Sequence, residues 1–253
     1  MFDNAFIKGD SIIHRFDPRF KILVAAVFSL VTAVSSRWVA LIPGLLLSIM
    51  LVLLARLSPR KVCIRLMLVN GLILFLWFFL PFSLEGMPLF TLGPLTATRE
   101  GILYATLLTL RSNIILLGLI SLVSTTPIFT LGRAMGQLYV PDKMVHLFFF
   151  TYRYLHVIQL EYQRLVRALK IRGFQPKTSV HTYKTYAYLV GMLLVKSYDR
   201  SERIRNAMLC RGFRGRFYDL TEFCLKPLDF VMMFLMLLSV TVIALLEWTT
   251  IIY

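Results

Sequence analysis

Two arginine-bearing segments in the C-terminal half of the chain have the spacing of a contact surface. Arg164, Ala168, Arg172, Gly173 and Phe174 recur 39 residues later as Arg203, Ala207, Arg211, Gly212 and Phe213. Leu165 and Leu169 pair with Ile204 and Met208 at the same offset. On a helix, positions i, i+4 and i+8 form one stripe, so Arg164, Ala168 and Arg172 share a face, as do Arg203, Ala207 and Arg211. The neighbouring apolar pairs supply a ridge beside each stripe. A glycine directly after the last arginine suits the left-handed position that ends a helix. One such unit reads as ordinary C-capping helped by the helix dipole. Two with matched spacing read as docking ends, because a guanidinium can fork onto acidic groups in a partner's groove. Two equivalent ends imply two equivalent grooves, hence a dimeric partner.

Other residue types restrict the chemistry. No G-x-x-x-x-G-K-[ST] occurs, so the chain has no P-loop of its own and energy would have to come from a partner. His14, His146, His156 and His181 offer no metal-ligand spacing: His146 and His156 are ten apart, about 1000° around a helix. No metal or cofactor site is expected in this chain. Cys63, Cys210 and Cys224 form no C-x-x-C pair and read as inert thiols in a reducing compartment. Arg111 falls inside an apolar stretch, where charge is costly and marks either a contact with a partner subunit or a pairing within the bundle. Asn113 reads as interhelical glue, and Gly71, Gly118 and Gly132 as close-packing positions. An integral membrane transferase would need clustered acids at a span end, and no D-x-x-D pair lies there. A self-contained carrier would need a polar pathway, and Arg111 with Asn113 makes a poor one.

The elements that must position these residues follow from composition. Of 253 residues, 58% are hydrophobic and mean hydropathy is +0.73, above the ~45–50% apolar usage of soluble domains. The chain is also basic, with 28 Lys plus Arg against 13 Asp plus Glu. Charge and hydrophobicity must therefore be segregated, as in an all-α membrane protein of several spans. Charge-free stretches run 22–36, 38–55, 66–83, 112–132 and 230–246, the fourth starting nearer Gly101 if Arg111 lies within it. About five transmembrane helices result. No cleavable signal peptide is expected before the first.

Basic residues alternate between the connecting segments: Lys8 to Lys21, then Arg37 alone, then Arg56 to Arg65, then Arg99 alone. Residues 133–226 hold 17 Lys plus Arg and 6 Asp plus Glu, and nothing basic follows the fifth span. The N-terminus is therefore placed in the cytoplasm and the C-terminus outside. The division expected is a four-span bundle over 1–132, a cytoplasmic helical domain over 133–226 and a last span over 227–253. The apolar patches Met144–Tyr152 and Thr185–Val195 are too short to cross and read as interfacial or partner-binding faces. Phe148, Phe149, Phe150, Tyr152 and Tyr154 read as an aromatic belt facing lipid and the bundle. Basic residues placed between spans point to anionic membrane lipid, not nucleic acid. The outer loop from Pro81 to Pro94 shows turn residues and no domain.

Arg153–Phe174 followed by Arg200–Gly215 resembles the coupling domain of the T component of energy-coupling factor transporters, and within that family is most similar to CbiQ. The family's paired Ala-Arg-Gly-type motifs correspond to Ile171-Arg172-Gly173 and Cys210-Arg211-Gly212, where Ile and Cys replace the alanine. Asp17-Pro18-Arg19 with Lys21, Thr98-Arg99-Glu100-Gly101, Arg111, Thr125-Thr126 and Tyr152-Arg153-Tyr154 fall where that family has similar residues. The resemblance implies an L-shaped, non-catalytic plasma-membrane scaffold. It grips two cytoplasmic ATPases of the ABC type through its coupling helices and holds a separate, CbiM-like substrate-binding membrane subunit. Cobalt or nickel is the implied cargo, carried by that other subunit.

Overall fold

The computed structural model describes residues 11–83, 87–92, 95–215 and 227–252. Its elements, in chain order, are α1 (Ile12–Arg15), α2 (Pro18–Val34), α3 (Trp38–Leu54), α4 (Pro59–Ser83), β1 (Pro88–Leu92), β2 (Leu95–Thr98), α5 (Arg99–Leu122), α6 (Ile128–Gln137), α7 (Asp142–Ile171), α8 (Val180–Cys210) and α9 (Pro227–Ile252). They fall into two compact units, Met1–Ala134 with Phe223–Tyr253, and Met135–Glu222. Among the described residues the structure is helical apart from one short antiparallel hairpin, β1–β2, in the loop between α4 and α5 where only turns were expected.

In the first unit α5 is the central helix, packed by α2, α3 and α4, while α9 lies against α2 and α3. Phe28, Leu41, Ile114, Val240 and Ile243 form one core layer; Val24, Leu51, Leu122 and Met236 belong to a second. The α2–α5 contact depends on Gly118. A Cβ there would lie 2.6 Å from a Phe28 ring carbon, and Phe28 is fully buried. Gly71, expected to serve the same purpose, has nothing within 4 Å, whereas Gly132 is buried in α6.

Among the described residues three helices are long and apolar enough to cross a bilayer: α4 (mean hydropathy 2.2), α5 (1.7) and 229–247 of α9 (2.5). The 17-residue α2 and α3 stand at the short end of spanning length and pack into the same bundle.

The helices outrun the charge-free stretches at several ends: α4 starts at Pro59 rather than 66, and α9 runs Pro227–Ile252 rather than 230–246. Helix α2 starts at Pro18 rather than Ile22, because Asp17 caps it by accepting the Arg19 amide at 2.9 Å and Pro18 suits the first turn. Lys21 is consequently inside the helix, 1% exposed, donating to Thr126 Oγ1 at 3.0 Å. The fourth span is Arg99–Leu122: it starts near Gly101, as expected with Arg111 inside it, and ends ten residues before 132. Thr98 starts it by accepting the Gly101 amide at 3.3 Å. It ends before Thr125-Thr126-Pro127: Pro127 has no amide to donate, and Thr125 Oγ1 bonds back to the Ser121 carbonyl at 2.9 Å. The residues after Pro127 form α6 instead.

The second unit contains the long helices α7 and α8, packed on each other. Glu161 of α7 and Lys196 of α8 form a hydrogen-bonded ion pair across them. Ser179 caps α8 by accepting the Thr182 amide at 3.3 Å, and Thr182 Oγ1 accepts the Lys177 amide at 3.2 Å. The stretches Met144–Tyr152 and Thr185–Val195 lie within these helices.

Candidate functional site

The two repeats end their helices identically. In α7, Arg172 is the C-cap residue, Gly173 takes φ +78°, the Gly173 amide donates to the Lys170 carbonyl at 3.0 Å, and the Phe174 amide to the Leu169 carbonyl at 3.1 Å. In α8, Arg211 is the C-cap, Gly212 takes φ +76°, its amide donates to the Leu209 carbonyl at 2.9 Å, and the Phe213 amide to the Met208 carbonyl at 3.0 Å. Both are Schellman closures, in which the left-handed residue turns the chain back so that its own amide and the next satisfy the last carbonyls. The glycines are required by that backbone: an L-residue at this φ costs ~1–2 kcal/mol.

The closures settle what each face shows. Arg164, Ala168, Arg172 and Gly173 are exposed, as are Arg203, Ala207, Arg211 and Gly212, while Leu165, Leu169, Ile204 and Met208 are half-buried. Each stripe thus stands outward and each ridge inward. Arg164 pairs with Glu161 at 3.6 Å. The Glu161 carboxyl is held below the usual carboxylate range, first by the Lys196 hydrogen bond and then by the Lys196, Arg164 and Arg200 charges. Its contribution to the α7–α8 contact is therefore complete above the ordinary carboxylate pKa and is lost as pH falls through the lowered value.

The phenylalanines that close the two repeats differ in surroundings. Phe174 packs its ring 5.9 Å from Tyr186 and 6.3 Å from His181. Phe213 instead lines an open cleft with Phe150, Arg153, Tyr154 and Arg214. The Arg172 end is thus buttressed by the first turns of α8, and the Arg211 end stands beside a cleft.

Arg111 lies elsewhere, midway along α5 in the first unit. Its guanidinium donates to the Ser35 carbonyl at 2.6 Å, and Ser36 in turn donates its amide to Glu247 at 3.0 Å. Arg111 therefore closes the α2–α3 turn, a bundle contact of the kind its sequence position allowed. Asn113 joins α5 to α4 through Asn70 at 3.1 Å. The buried Lys21 and the Glu161–Lys196 pair were not legible beforehand. Lys21 reads as one more flanking charge, and no sequence spacing couples residues 161 and 196. Among the described residues no three His, Cys, Asp or Glu gather into a metal-binding group.

The sequence is similar to those of known chains. The family model described as "CbiQ: Cobalt transport protein" matches residues 9–221. The chain is 28% identical over 221 residues to the "Energy-coupling factor transporter transmembrane protein EcfT" of Lactococcus lactis, covering 83% of both proteins. It is 28% identical over 220 residues to that of Leuconostoc gelidum, covering 83% of this chain and 82% of the relative. For Thermosediminibacter oceani the figures are 26% over 232 residues and 83% of both. The match runs through the bundle and through both capped helices, and the chain belongs to the CbiQ cobalt transport protein family, the transmembrane T components of energy-coupling factor transporters.

Proposed function

We propose that this chain is the coupling scaffold of an ATP-driven importer, transmitting the motion of two cytoplasmic ABC ATPases to a separate substrate-binding membrane subunit. The observation that carries the reading is the pair of identical capped ends, each presenting an exposed arginine, Arg172 and Arg211, at a rigid helix terminus. A guanidinium fixed there can fork onto carboxylates in a groove of the ATPase. Nucleotide-driven closure of the ATPase pair then carries the two ends together. Helices of 30 and 31 residues pass that movement on as levers. Hydrolysis belongs to the ATPases.

The segment 133–226 is the cytoplasmic coupling part, with 1–132 and 227–253 in the membrane, the N-terminus inside and the C-terminus outside. The name of the matching family supports cobalt, or chemically similar nickel, as cargo. A CbiM-like subunit would hold it, and this chain would hold none.

Co-purification tests the scaffold reading. Tagged wild-type chain, co-expressed with its ATPases, should capture them in detergent, and Arg172→Glu with Arg211→Glu should reduce capture at least about tenfold, since reversing a charge in a paired contact leaves two like charges facing. Equal capture by both chains, or none by either, overturns it.

A further inference from the structure

Helix-end docking uses Arg211 but leaves unexplained what lies next to it. An open cleft of about 620 Å³ runs between α7 and the end of α8, with Arg153, Arg211 and Arg214 around it and Phe150, Tyr154 and Phe213 in its walls. It continues into a trough of about 430 Å³ that shares Phe150 and Tyr154 and adds Ile158. The trough is lined almost wholly by apolar surface, with Arg200 and Arg205 at its edge. Among the described residues no acidic side chain lines either part. Arg153 holds its guanidinium 5.7 Å from the Tyr154 ring centroid, a cation–π seat that fixes the charge at the cleft wall.

We propose that this cleft and trough seat one anionic phospholipid from the bilayer, its phosphate on Arg153 and Arg214 and an acyl chain along Phe150, Tyr154 and Ile158. Two requirements select that occupant. Guanidinium groups without a carboxylate among them match a phosphodiester, whose oxygens accept forked hydrogen bonds. A continuous apolar trough matches a hydrocarbon chain, which a free anion lacks. The same unit bears the exposed side chains of an interfacial helix pair: Tyr188 is 76% exposed, and Leu194 and Tyr198 are 65% exposed. Basic groups on such a surface attract anionic headgroups. The phosphate would lie beside Arg211, so the lipid would add a contact at that helix end.

The test uses the full chain with its ATPases, purified in mild detergent, exposed to mixed phosphatidylglycerol and phosphatidylcholine vesicles, and assayed for retained lipid by native mass spectrometry. Wild type should retain phosphatidylglycerol selectively. Removing two headgroup contacts with Arg153→Gln plus Arg214→Gln should weaken retention about 30-fold, and Arg153→Lys plus Arg214→Lys should restore most of it. Ile158→Glu, in the trough and outside both repeats, should also lose the lipid. Capture of the ATPases in lipid-free detergent should be unchanged in the Gln variant, which separates this inference from the docking reading. Equal retention of the two lipids, or by wild type and the Gln variant, overturns the proposal. Displacement by millimolar inorganic phosphate assigns the cleft to a small anion, and parallel loss of ATPase capture assigns it to the partner; either result also overturns it.

Discussion

Gly118 and Gly71 separate two uses of glycine in a membrane helix. The Phe28 ring occupies the space a side chain at 118 would need, while the surroundings of residue 71 are open. Gly118→Ala should therefore destabilise the chain by ~1–3 kcal/mol, the usual cost of overpacking. Gly71→Ala should stay within about 1 kcal/mol of wild type. The thermal unfolding midpoints of the two variants in detergent measure the contrast, and equal midpoints would show that Phe28 can move aside. The distinction was not legible in the sequence, where Gly71, Gly118 and Gly132 read alike as packing positions. Which glycine meets a ring depends on the rotation of α2 against α5, and a single apolar helix records that poorly. Lys21 teaches the converse: a charge excludes a position from lipid but not from a buried polar contact such as Thr126.

At the scale of elements, the two repeats were legible in the sequence. The repeat spacing, the outward stripe and the left-handed glycines follow from helix geometry, and the structure has them at Gly173 and Gly212. Reading spans from charge-free runs missed the extra turn of α2 set by Asp17 and Pro18, the break at Pro127 and the β1–β2 hairpin. The caps carry a prediction of their own. With alanine forced to φ near +77°, Gly173→Ala and Gly212→Ala should each weaken a helix end by ~1–2 kcal/mol. Hydrogen exchange at the amides of Phe174 and Phe213, which donate across the closures, should speed up by about five- to thirtyfold. Amides in the middle of α7 and α8 should keep their rates. Unchanged exchange at 174 and 213 would mean that the closures do not hold these ends.

Over the whole molecule, hydrogen bonds fix which ends of the membrane helices lie together, and only the absolute side remains to be assigned. Lys21 near the start of α2 reaches Thr126 after α5, and Arg65 near the start of α4 reaches Ser124 at 3.1 Å, which gathers these termini at one end. Arg111 reaches the α2–α3 turn, whose Ser36 meets Glu247 late in α9, which sets the turn and the end of α9 together. The first end carries Arg56, Arg60, Lys61 and Arg65 and the chain leading into the basic segment; the turn carries Arg37. The topology proposed from charge bias would make the first end cytoplasmic. Cys63 and Cys210 are exposed free thiols and should both face the cytoplasm. Met87, 71% exposed beside β1, should face outward. In a Cys224→Ser background, a membrane-impermeant maleimide added to sealed right-side-out vesicles should leave Cys63 and Cys210 unlabelled until the membrane is opened. Met87→Cys, placed in a chain lacking the other thiols, should label at once. The reverse pattern would invert the whole bundle, because the hydrogen bonds tie its ends into one arrangement. It would also remove Arg172 and Arg211 from reach of any cytoplasmic ATPase.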